Sequence, residues 1–86
     1  MTEPLWFRIG YVCRTLGVKP SAIRYWESEF SRWVRPGRTK KGQRVYSRVA
    51  VERLKRIQQL LHVERYTIEG ARMRMAAECS QAEAAG

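Results

Sequence analysis

Arginine dominates the residues of this chain that could do chemistry. Thirteen of its 17 Lys and Arg residues are Arg, set against 8 Asp and Glu, for a formal net charge of +9. The guanidinium is a planar fork of donors that suits phosphate oxygens and guanine edges, so this balance points to nucleic acid. Cations and aromatics concentrate in residues 19–46, KPSAIRYWESEFSRWVRPGRTKKGQRVY. Arg24 and Tyr25 stand in a short helix-forming segment. Arg35, Arg38, Lys40, Lys41 and Arg44 then fall within ten residues, with no acid among them. Cations grouped without counter-charge suit a phosphate clamp better than a merely solvated loop. Catalytic and metal chemistry have little to work with. No acid–base or nucleophile–base pair is present, and Cys13, Cys79 and the single His62 have no zinc-site spacing. The expectation is a binding protein, not an enzyme, with no cofactor and no metal, its thiols reduced in the cytoplasm.

The elements that must position these side chains can be read from periodicity. Eighty-six residues, 44% of them hydrophobic, make one globular domain, its core resting on three Trp, four Tyr and two Phe. Residues 1–7 form a lead-in whose Leu5, Trp6 and Phe7 lie on the domain. Ile9, Val12, Cys13 and Leu16 make one helical stripe, and Gly17 is a left-handed stop. Pro20 suits the first turn of a second helix over residues 20–30. Its stripe is Ile23, Trp26 and Phe30, which leaves Ser21, Arg24, Tyr25 and Ser28 on the other side. Two short helices joined by a Gly-containing turn suggest a helix-turn-helix.

Trp33–Val34 and Val45–Tyr46 read as the strands of a hairpin, with Lys40 and Lys41 at the tip and Gly42 in the positive-φ position. Such a ribbon must lean on the helices, as in a winged helix. Ser47 caps a third helix over residues 48–63, with Ala50, Leu54, Ile57 and Leu61 inward and Leu60 beside them. Thr67 caps a fourth, with Ile68, Ala71, Met75 and Cys79 inward. Residues 1–79 thus form the domain, and residues 80–86, SQAEAAG, are expected to fray. The longest apolar run is two or three residues, which excludes a membrane-spanning helix, and no signal-peptide pattern opens the chain.

Four motifs in order resemble the DNA-binding domain of MerR-family transcription regulators. They are IGYVCRTLGV, IRYWE, PGRTKKGQRVYS and YTIEGA, and the likeness covers residues 8 to about 75. The resemblance implies a mainly α winged helix-turn-helix: two short helices, a β-hairpin wing and two further helices. It implies that Ser21, Arg24 and Tyr25 meet the major groove and its flanking phosphates. It assigns Arg38 and Arg44, with Lys40 and Lys41, to grip the backbone. Tyr46 ends the wing, as a DNA contact or as its hydrophobic foot, and Arg65 lies in a loop that acts as a second wing. The family has a Gly soon after the second helix and another before the Tyr-Thr-Ile pattern. Here ESEFSRWV and Arg65 stand in those places, which bears on the wing's angle, and a positive φ at Arg65, if adopted, costs about 1 kcal/mol.

The expected function is sequence-specific binding of double-stranded DNA by a cytoplasmic, nucleoid-associated regulator. The family's long dimerisation helix does not follow Gly86, so a monomer or a fragment of a dimeric regulator is expected. Two alternatives share the same surface. One is an excisionase-like architectural or recombination-directionality factor, the other a basic module that binds an acidic protein partner. Cys13 reads as core, His62 as a surface histidine, and Trp6 and Trp33 as packing residues.

Overall fold

The computed structural model describes residues 6–85, with side chains described for residues 6–80. The expected fraying of residues 80–86 falls almost wholly on side chains outside that range, as does the packing of Leu5. The chain is mainly helical, with a small three-stranded antiparallel sheet, and has the arrangement of a winged helix-turn-helix.

Helix α1, Ile9–Leu16, ends where Gly17 turns left-handed at φ 72° and donates its N–H to the Cys13 carbonyl. Glycine takes this conformation without the Cβ clash that penalises other residues. Helix α2, Pro20–Glu29, starts after only Val18 and Lys19, with proline at its first position, and the turn between the helices is correspondingly tight. Val12, Leu16, Ile23, Trp26 and Phe30 are all buried, so the two apolar stripes face each other. Ser21, Arg24, Tyr25 and Ser28 lie exposed on the far side of α2.

The sheet differs from the expected hairpin in two ways. Strand β1, Trp6–Arg8, comes from the supposed lead-in and pairs with the central strand β3, Arg44–Ser47, with Phe7 opposite Tyr46. The first wing strand is β2, Gly37–Arg38, and not Trp33–Val34. Those two residues instead wrap back on the end of α2, where both backbone N–H groups bond to the Phe30 carbonyl. Burial explains the choice. Val34 is 1% exposed and Phe30 fully buried, so the bulky segment after α2 is drawn into the core as a turn before the wing begins.

Ser47 caps helix α3, Arg48–Gln58, its hydroxyl accepting from the Ala50 N–H at 3.1 Å. The helix then widens into a π turn, Gln59–Val63, closed by Glu64 N–H to the Gln59 carbonyl. Leu60 is fully buried there, and Leu61 packs on the core edge. Arg65 follows at φ 63°, the one non-glycine residue with positive φ among those described. Thr67 caps helix α4, Ile68–Ala85, by accepting from the Gly70 N–H. Ala71 and Met75 of α4 are buried, with Ile68 and Cys79 half-buried beside them. Arg72 ties α4 to α2: its Nε donates to the Glu29 carbonyl at 2.8 Å while its Nη2 pairs with the Glu29 carboxylate. The C-terminal end of α2 is therefore both buried by apolar residues and held by a cation. None of the described helices is long and apolar enough to cross a membrane.

Candidate nucleic-acid interface

Helix α2, the wing and the start of α1 enclose a shallow cleft of about 660 Å³. Arg8, Arg14, Arg24, Arg38 and Arg44 all line it, and none of the described residues lining it is acidic. Five guanidinium groups around one concavity create a positive field that is strengthened by the low-dielectric walls. The cleft brings together three of the residues expected from the sequence: Arg24 of α2, and Arg38 and Arg44 of the wing. Ser21 and Tyr25 stay on the same exposed side of α2 but do not line the cleft. Lys40 and Lys41 are exposed at the wing tip, where Gly42 turns at φ 84° and donates to the Thr39 carbonyl.

The two wing arginines lie directly opposite each other across the β2–β3 ladder. Like charges in that position cost a few tenths to about 1 kcal/mol. Each is held by a separate acceptor: Arg38 Nη1 donates to the Gly42 carbonyl at 3.0 Å, and Arg44 Nε to the Glu27 carboxylate at 3.2 Å. A like-charged pair kept in register by its own anchors is a local conflict of the kind that marks functional sites.

Tyr46 does not reach this surface. Its side chain is fully buried, and its hydroxyl donates to Glu27 Oε2. Of the two roles open to it from the sequence, burial supports the hydrophobic foot of the wing. Loss of hydration, reinforced by the neighbouring carboxylate, pushes its phenol far above its ordinary pKa of 10.0. Arg65 is exposed in the loop between the π turn and α4, away from the cleft's lining.

The sequence reading missed Arg8, Tyr11 and Arg14. Tyr11 is 44% exposed and stacks on Phe7, with ring centroids 4.7 Å apart. The available signal was that Tyr11 and Arg14 fall off the apolar stripe of α1, and Arg8 ends β1. Without β1, nothing placed them beside the wing. Glu27 was missed too, because a carboxylate in a helix next to Trp26 is ordinarily a surface residue. Elsewhere, Arg56 is held between Glu78 and Glu64, and Glu78 also accepts from Arg74. These hydrogen bonds, the one from Arg56 foremost, keep the Glu78 carboxyl below its usual range. Burial raises the Cys13 thiol above its ordinary value. Among the described residues no cluster of His, Cys, Asp and Glu could hold a metal ion.

With this geometry in hand, comparison with known families is decisive. The family model for MerR helix-turn-helix regulatory proteins matches residues 7–78, most of the chain. The protein belongs to the MerR family. Its general class is that of a DNA-binding regulator, and the match spans every element from β1 into α4, including the unexpected first strand. No curated protein matches the chain.

Proposed function

We propose that this MerR-family protein binds double-stranded DNA sequence-specifically. Helix α2 enters the major groove of one half-site. Arg24, Tyr25 and Ser21 meet base edges and the adjoining phosphates there. Arg38, Arg44, Lys40 and Lys41 hold the flanking backbone from the wing, with Arg65 as a further phosphate contact beyond α3. Tyr46 carries the wing from inside without touching DNA. On this division the phosphate contacts set register and orientation, and few base contacts specify. Such a regulator works in the cytoplasm, on the nucleoid.

The observation that carries the proposal is the cleft in which Arg24 of the helix and Arg38 and Arg44 of the wing converge, its described lining without an acid although Arg44 also pairs with Glu27 beside it. A solvated basic face would spread its cations and intersperse acids, as the surface carrying Arg56, Glu64, Arg74 and Glu78 does. Arg8 and Arg14 extend the same cleft and are proposed as additional phosphate contacts.

A mobility-shift titration on random duplex, repeated across salt, tests the reading. Non-specific dissociation constants of roughly 10⁻⁴ to 10⁻⁶ M are expected, with log K falling by about 0.9 per phosphate neutralised for each tenfold rise in salt. Absence of binding even at low salt would refute it.

A further inference from the structure

Helix α2 and the wing are joined through one carboxylate. Glu27 lies on α2, three residues after Arg24, and is 7% exposed. Its two oxygens take donors from two positions on β3: Oε1 accepts from Arg44 Nε, and Oε2 accepts from the Tyr46 hydroxyl. A carboxylate this far from water is tolerated only when it is paired and hydrogen-bonded, and here both partners come from a single strand. The strand positions differ in their surroundings. Tyr46 is sealed in the core, whereas the Arg44 side chain is 32% exposed and lines the arginine cleft. With Nε committed to Glu27, the Nη edge of the Arg44 fork makes no hydrogen bond to the described residues and can take a second acceptor.

We infer that Glu27 is a positioning residue for DNA recognition: it fixes the angle between α2 and the wing, and turns the Nη edge of Arg44 into the cleft. This rests on the DNA-binding reading above and adds what makes base reading and backbone grip act on one register of duplex. Arg24 and Arg44 both line the cleft, yet they sit on elements joined only through the turn after α2 and the two-residue strand β2. A rigid link between those elements converts two independent contacts into one constellation. The alternative role for a carboxylate at this place is simple counter-charge, and the two roles differ in sign. A counter-charge beside DNA repels phosphates, so its removal tightens all binding equally. A positioning residue, once removed, lowers discrimination while the added positive charge leaves non-specific binding unchanged or tighter.

The test uses the full chain and two duplex probes, one enriched by the wild-type protein from a random pool and the other the unselected pool. In Glu27→Gln the ratio of the two affinities is expected to fall by about tenfold, with pool binding no weaker than wild type. An unchanged ratio, with both affinities shifted together, overturns the proposal. Arg44→Lys is then compared in both backgrounds. It should lower the ratio in the wild-type chain and add little in Glu27→Gln, and an equal loss in both backgrounds overturns the coupling. Should Glu27→Gln fail to fold by circular dichroism, Tyr46→Phe carries the decision, because it releases Oε2 while leaving Arg44 in place. A roughly threefold lower ratio supports the proposal there, and an unchanged one overturns it. A wild-type chain that binds neither probe at low salt refutes the DNA-binding reading itself, which is a separate failure.

Discussion

Replacing Tyr46 with phenylalanine removes one oxygen from a sealed site and leaves the ring that fills it. The hydroxyl donates to the carboxylate of Glu27, which is itself buried, so the acceptor loses a donor and gains no water. Hydrogen bonds to charged groups are worth about 1.5–3 kcal/mol, and Arg44 continues to hold the other oxygen, so a loss of about 2 kcal/mol is expected. For a domain of this size each kcal/mol moves Tm by about 4–8 °C, which puts the expected drop at roughly 8–16 °C. Urea and thermal unfolding followed by circular dichroism measure both quantities. The pH dependence supplies an internal control. The folded-state pKa of Tyr46 lies well above its ordinary 10.0, so the phenol's contribution is complete below pH 10 and is lost as pH rises further. The stability gap between wild type and Tyr46→Phe should therefore narrow above pH 10. A loss under about 0.5 kcal/mol at neutral pH, together with a gap that stays flat through pH 10, would refute the buried hydrogen bond as the cause.

Other outcomes can be checked on the same material. Arg24→Ala should erode the preference for a selected duplex, whereas Lys40→Ala with Lys41→Ala should reduce the salt slope by up to about 2 and leave preference intact, both read by mobility shift. The reverse pattern would exchange the roles of helix and wing tip. Arg65→Gly relieves the positive φ and should stabilise the fold by about 1 kcal/mol in urea, while lowering the salt slope by about 1. The Glu78 carboxyl is held below its ordinary 4.5, so its contribution is present above that pH and lost as pH falls through the lower folded value. Glu78→Gln should cost no more than about 1 kcal/mol at pH 7, and its gap to wild type should close on acidification in a thermal melt series.

Much of the helical scaffold was legible from sequence because its signals are local. The α1 stripe of Val12 and Leu16, the left-handed Gly17, the Pro20 start and the Ser47 and Thr67 caps depend on neighbours three or four residues away. Each was found where expected. The exposed cations followed the same logic, since the apolar stripe of α2 left Arg24 and Tyr25 on its outer side. The positive φ of Arg65 was left open by the sequence and by the family resemblance, and only the fold decided it. The π turn after Gln58 was not legible, because residues 48–63 keep a continuous helical pattern and the widening changes backbone bonding without changing that pattern.

What the sequence alone determined is therefore the helices, the turn between the first two and the sign and clustering of the charge. Tertiary structure decided the rest. Phe7 has no local reason to be a strand; it becomes one because Tyr46, far along the chain, offers an unpaired edge. Trp33 and Val34 have strand propensity, yet burial of Phe30 and Val34 turns them back onto α2. The burial of Glu27 is set by Arg44 and Tyr46, which reach it from strand β3. Helical signals repeat every few residues and can be read in place. Strand pairing and the burial of a charge depend on partners distant in sequence, so the cleft exists only once the chain has folded.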